Sequence, residues 1–250
     1  MKILIAGESW SSTSTHVKGY DQFVSSMYHT GATQLINALE LVASVTYIPN
    51  HEAAEKFPLT MEDLNHFQVV VLSDIGANTL LLHPATWERG ERRPNRLRLL
   101  RDYVLAGGGL VMVGGYLSFQ GFEAKAAYSG TPLEEVLPVT IFPYDDRLEA
   151  PEGLEVEVNL PGHPILRDIP NNWPYLLGLN RVTVKKGTET VASANFFPLL
   201  VAGQYGMGRS VAWTSDIGPH WCPNVFCAWD GYETLWQNIV AWVSNPGFHN

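Results

Sequence analysis

A chain of 250 residues with 46% hydrophobic and 16% charged side chains can bury a large core, which excludes a disordered polypeptide. Its 16 basic against 25 acidic residues leave a net charge of −9, which argues against a nucleic-acid partner. No apolar run approaches the roughly 20 residues of a membrane span, the run at residues 2–6 is too short for a secretory signal, and two cysteines make no disulfide framework, so a reducing cytoplasm is the expected location.

Residues 2–6 read as a buried parallel strand that ends in Gly7-Glu8-Ser9. Residues 9–28, polar and rich in Ser and Thr, read as a long loop and a candidate lid. Leu35, Ile36, Leu39 and Val42 recur at helical spacing, and residues 45–48 form a second strand. Thr60 suits the N-cap of a helix with an acidic first turn. Residues 69–72 make a third strand, which delivers Asp74 and Asn78. Pro94 suits the first position of a helix whose inner face is Leu97, Leu100, Tyr103 and Val104. The basic cluster from Arg89 to Arg101 reads as its solvated face. Gly107–Gly109 end that helix, and residues 110–113 form a fourth strand closed by the turn Gly114-Gly115-Tyr116.

After Tyr116 the pattern changes to short strands at residues 136–142, 154–159, 181–184 and 190–194, and a hairpin of 199–205 with 210–214 around Gly206-Met207-Gly208. Flanked by strands, those glycines make a hairpin turn and not a phosphate loop. A last helix carries Tyr232, Leu235, Trp236, Ile239, Val240 and Val243 on one stripe, which should pack on the sheet. The expected architecture is α/β: a flavodoxin-like three-layer sandwich, one domain over residues 1–250, with a mostly parallel central sheet and an added β-rich second half. The aromatic load, with eight Trp and ten Tyr, suits core and subunit contacts, so a homo-oligomer is expected.

In open α/β sheets ligands sit at the carboxyl ends of the strands. That edge should gather Glu8 and Ser9, Asp74 and Asn78, Gly114, Gly115, Tyr116, Ser118 and Gln120, and from the late strand Asp216 and His220. These residues suit acid–base or nucleophilic work on a small-molecule ligand. Asp74 and Asp216 equally suit turn caps. Ser118 suits the N-cap of a following helix, or a nucleophile with His220 as its base, and a Tyr116 of lowered pKa would be an acid. His220-x-Cys222-x4-Cys227 lacks a fourth zinc ligand, so neither a metal nor another cofactor is expected.

The chain resembles the class I glutamine amidotransferase-like superfamily, most nearly the subgroup described as "putative glutamine amidotransferases" and more distantly the ThuA-like proteins of sugar utilisation. The residues that carry the resemblance are the 2–9 segment, 72–78 with 80–84, and 107–121, joined by 163–165, 203–209 and 216–221. Glutaminases of this superfamily carry Gly-x-Cys-x-Gly at the turn after the fourth strand and a His-x-Glu pair on a late strand. Here Gly114 or Gly115 aligns with the Cys, and the late strand offers Asp216 and His220. The resemblance thus implies the fold and a small polar, sugar-related or amide-bearing ligand, without a working glutaminase. His220 would be the base, Asp216 its orienter, and the amides near Gly115 and Tyr116 an oxyanion site. The competing expectation is a non-catalytic binding or assembly module.

Overall fold

The computed structural model describes residues 1–244. The chain opens with β1 (Lys2–Gly7) and an antiparallel hairpin of β2 (Ser9–Lys18) and β3 (Asp21–Thr30). Then come α1 (Thr33–Glu40), β4 (Ser44–Ile48), α2 (Asn50–Lys56), α3 (Met61–Leu64), β5 (Val69–Ser73), α4 (Ala77–Leu81), α5 (Pro84–Arg89), α6 (Arg96–Leu105) and β6 (Gly109–Val113). The second half contains β7 (Val139–Ile141), β8 (Arg147–Leu154), β9 (Val156–Val158), β10 (Leu176–Asn180), β11 (Val182–Val184) and β12 (Glu189–Ala194). It closes with the hairpin β13 (Phe197–Tyr205) and β14 (Gly208–Trp213), α7 (Asn224–Cys227) and α8 (Tyr232–Val243).

Eight strands make the central sheet in the order β4-β1-β5-β6-β14-β13-β12-β9. The pairs from β4 to β14 are parallel and those from β14 to β9 antiparallel. Counted along the chain, the parallel strands lie in the flavodoxin order 2-1-3-4-5. Helices α1 and α8 and the β8–β10 ribbon cover one face; α2 to α6 and the β7–β11 ribbon cover the other. The expected three-layer α/β sandwich with a β-rich second half is what forms. The stripe on α8 is buried as read, against α1, β6 and β14. Thr60 caps α3 by accepting a hydrogen bond from the Asp63 amide.

Four expectations are corrected. Residues 9–28 are a two-stranded hairpin and not a loop; both of its faces meet water, so its sequence shows no alternation. Pro94 lies outside α6, whose N-cap is Asn95, its side chain accepting from the Arg98 amide. The first helical turn after Gly114-Gly115 is a short 3-10 segment at Phe122–Ala124 with Gly121 at its N-cap, so Ser118 does not cap it. The basic cluster is not wholly solvated either: Arg96 is only 1% exposed and points inward.

Candidate functional site

The strand ends lie in one row. Gly7 pairs with Ser73, Ser73 with Val113, and Val113 with Trp213. The next residues of β1, β5, β6 and β14 therefore leave the sheet side by side. The chain turns sharply at two of these exits, where Glu8 (φ +49) and Asp74 (φ +44) occupy the left-handed region that non-glycine residues avoid. Such strain persists where surrounding bonds impose it, and it concentrates at functional sites. The Glu8 amide donates to the Ser73 carbonyl at 2.7 Å, and the Asp74 amide donates to Ser118 Oγ at 3.1 Å.

A cavity of about 350 Å³ opens over these exits, lined by Glu8, Trp10, Asp74, Tyr116, Leu117, Phe122, Asp216, Pro219 and His220. It lies at the β1/β5 switch point, where the strand order reverses. Of the residues expected at the edge, Glu8, Asp74, Tyr116, Asp216 and His220 meet here, with Gly115 behind them. Five others do not line it, among them Gly114, which packs against the Thr214 backbone. Ser9 accepts from the Asn50 amide at 2.8 Å and faces a neighbouring cleft, and Asn78 is exposed on α4. Gln120 is held at 3.1 Å by the Ser129 amide, and the Ser118 hydroxyl is buried beneath Asp74.

Electrostatics set the proton inventory. Burial pushes the Glu8 carboxyl well up, and the nearby Asp216 and Asp74 push it further; Ser73 Oγ donates to its Oε2 at 2.5 Å. Burial raises Asp74 from 3.8 to about 6 against the opposing hydrogen bond from the Leu117 amide. Asp216 is raised by burial, with His220 and the Trp221 amide pulling the other way. His220 is raised by Asp216, whose Oδ2 lies 3.5 Å from Nδ1. The Tyr116 hydroxyl is raised by burial and by Glu149, so the expected acidic tyrosine is corrected.

Asp74 carries a stability prediction. Between 3.8 and about 6 the native state holds a proton that the unfolded chain releases, so stability falls as pH rises through that window. Asp74→Asn keeps an acceptor for the Leu117 amide and removes the buried charge. It should raise stability on the order of 1–3 kcal/mol at pH 7.5 and hardly at all at pH 3.5, read by denaturant titration at both values.

Glu149 is the site residue the sequence did not reveal. It lies on β8, an unpredicted strand, and the tertiary fold carries it to the cavity rim. There it accepts from the Tyr116 hydroxyl at 2.8 Å and Trp221 Nε1 at 3.0 Å, with His220 Nε2 at 3.6 Å. Trp10 was also missed as a cavity residue, because the segment holding it was read as loop.

The elbow itself is closed to a nucleophile. A Cβ on Gly114 would collide with the Thr214 carbonyl; one on Gly115 (φ +142) would sit 2.8 Å from Asp74 Oδ1 and 3.1 Å from Asp216 Oδ1. Two carboxylates occupy the space a cysteine would need. Of the amides expected to form an oxyanion site, that of Tyr116 has no acceptor among the described residues, while its neighbours are engaged. The amides of Gly114, Gly115 and Leu117 donate to Trp213 O, Asn180 Oδ1 and Asp74 Oδ1, and that of Ser118 to Gly115 O, all within 3.3 Å. Neither cysteine lines the cavity; their sulfurs lie 3.8 Å apart, with Cys222 buried.

Two cytoplasmic proteins of Salmonella typhimurium have the same fold over nearly their whole length. Each is 42% identical with a TM-score of 0.94; coverage is 97% of this chain and 99% of the first, 98% and 100% for the second. A "thua-like protein" of Bacteroides uniformis shares the fold at 14% identity and a TM-score of 0.55, covering 97% of this chain and 90% of its own. No curated protein sequence matches. A family model spans residues 2–245, and the chain belongs to the family described as "Putative glutamine amidotransferase".

Proposed function

We propose that this protein binds and processes a small polar, sugar-sized metabolite in the cavity, by proton transfer and without a thioester. The observation that carries this reading is two buried carboxyl groups, the half-buried Asp74 and an imidazole gathered around an elbow that has no room for a nucleophile. In this reading His220 is the general base, with Asp216 orienting its ring and stabilising its charged form. Glu8 and Asp74 are the carboxyl groups that hold the ligand beside it. The role first assigned to Ser118 is dropped, since its hydroxyl is committed to the Asp74 amide. Residence in the cytoplasm belongs to the proposal. The two Salmonella relatives support it, and among the described residues no helix is long and apolar enough to cross a membrane.

The test is turnover and thermal-shift profiling of wild type against His220→Ala. The variant should lose about 10²- to 10⁴-fold in turnover. Its melting temperature should hardly change, because the His220 side chain is 49% exposed. Full turnover in a pure His220→Ala protein removes His220 from the chemistry.

The hairpin favours a second role, assembly. One face of it carries Trp10, His16, Phe23, Met27 and His29, with Phe23 and Met27 more than half exposed. An isolated two-stranded hairpin is marginal in water, so a second copy of the chain is its natural support. Phe23→Lys with Met27→Glu should convert an oligomer to a monomer in analytical ultracentrifugation. A wild-type protein that sediments as a monomer at micromolar concentration defeats this role.

A further inference from the structure

The walls and floor of the cavity are unequal in chemistry. Among the described residues, the side-chain donors beside it are already committed within the protein, except Trp10 Nε1 on the hairpin wall. The Tyr116 hydroxyl and Trp221 Nε1 donate to Glu149, Ser73 Oγ donates to Glu8, and the ring nitrogens of His220 face Asp216 and Glu149. Acceptors, in contrast, are in excess. Ser73 reaches only Oε2 of Glu8, the Leu117 amide only Oδ1 of Asp74, and the Trp221 amide only Oδ2 of Asp216. That leaves Glu8 Oε1, Asp74 Oδ2 and Asp216 Oδ1 without a protein donor among the described residues. None of the three is among the fully enclosed polar atoms that lack a partner, so each retains access to the cavity. Glu8 and Asp216 are themselves only 6% and 7% exposed.

A ligand suited to this floor donates hydrogen bonds and accepts few. An ammonium or amidinium group has that character, whereas a hydroxyl must also be given a donor. The charge balance points the same way. Glu8, Asp74 and Asp216 line the cavity with His220, and Glu149 stands behind Tyr116 and His220; the nearby Arg147 is held by Asp145 at 2.8 Å, and Lys125, 5.2 Å from the Phe122 ring centre, is paired with Glu123. The walls add aromatic faces from Trp10, Tyr116 and Phe122, which attract cations. Arg147 already uses the last two in this way, its guanidinium lying 4.0 Å from the Phe122 ring centre and 5.2 Å from that of Tyr116. The carboxyl groups are not disposed as a metal shell, since among the described residues no three His, Cys, Asp or Glu side chains could hold a metal ion.

We infer that the cavity selects metabolites that carry a protonated amine or amidine, seated on Glu8, Asp74 and Asp216 between Trp10 and Phe122. This rests on the small-metabolite reading and names the ligand class within it. Binding should release protons. The bound cation replaces those that burial holds on Glu8 and Asp74, while Asp216 and the imidazole of His220, beside Glu149, adjust with them. Affinity should therefore rise from pH 5 to pH 8.

The experiment is calorimetry of the whole protein with matched pairs that differ only in ammonium against hydroxyl: glucosamine and glucose, 1,4-diaminobutane and 1,4-butanediol, methylammonium and methanol. The expected result is at least tenfold tighter binding of the ammonium member of a pair, with proton release measured in buffers of different ionisation enthalpy. Glu8→Gln should abolish that preference. Trp10→Ala, on the exposed hairpin and so without risk to the core, should weaken it severalfold. If hydroxyl members bind as tightly as their ammonium twins, the ligand class is wrong and the small-metabolite reading stands. If no member of either class binds, both fall together.

Discussion

A cysteine installed at the elbow should yield no glutaminase. Gly115→Cys forces a side chain onto a backbone at φ +142 and sets its Cβ against two carboxylate oxygens. Strain and overpacking of this kind cost about 2–4 kcal/mol together, a fall in melting temperature of roughly 4–16 °C for a chain this size. The thiol would lie beside Asp74 and Asp216, whose negative charge disfavours the thiolate needed for attack. Gly114→Cys meets the Thr214 backbone, which cannot swing aside as a side chain can, and should not accumulate as folded protein. Ammonia release from glutamine and chemical denaturation are the measurements. A Gly115→Cys protein with wild-type stability and measurable glutaminase activity would mean that this cavity is a silenced amidotransferase site, and our reading of the carboxylates would be wrong.

Arg96→Ala should be the most destabilising single truncation away from the site. The buried guanidinium donates to the carbonyls of Ala53, Ala54 and Phe57 at the end of α2 and of Thr79 and Leu80 on α4. These carbonyls stand at helix carboxyl ends, where the helix dipole favours a cation. Burial lowers the pKa of Arg96 to about 10, so it stays charged. Removing it leaves the carbonyls unpartnered, at about 3–5 kcal/mol, or roughly 6–20 °C in melting temperature. The effect should reach the site. Asn50 at the start of α2 donates to the carbonyls of Ser9 and Asp74 at 2.7 and 2.9 Å, so loosening α2 and α4 loosens the loops that carry Glu8 and Asp74. A loss below about 1 kcal/mol in Arg96→Ala would mean that water replaces the guanidinium without penalty.

The expectations that held share a physical origin. β1, β5 and β6 are buried on both faces, so their sequences are unbroken apolar runs that only a central parallel strand requires. The α8 stripe and the β13–β14 hairpin were legible because each has one core-facing side and a local turn or period that marks it. The β2–β3 hairpin was not, because both its faces meet water and nothing forces its residues to alternate. The inward turn of Arg96 was hidden for the opposite reason. Its partners are backbone carbonyls of two other helices, and these leave no trace in residue identity.

By itself the amino-acid order determined the sheet at the middle of the molecule, the absence of a sulfur or hydroxyl at its elbow, and the acids and imidazole available at the strand ends, because burial and chain direction act locally and leave periodic marks. Tertiary structure alone decided which of those groups share a cavity. The alignment of Gly7, Ser73, Val113 and Trp213 across four strands brings Glu8, Asp74 and Asp216 together, and β8 delivers Glu149 to the rim. It also decided that carboxylates fill the place of a nucleophile and that the amides of Gly114, Gly115 and Leu117 are spent on protein acceptors. Those outcomes depend on contacts between residues tens to more than a hundred positions apart, where the chain's own local rules carry no information.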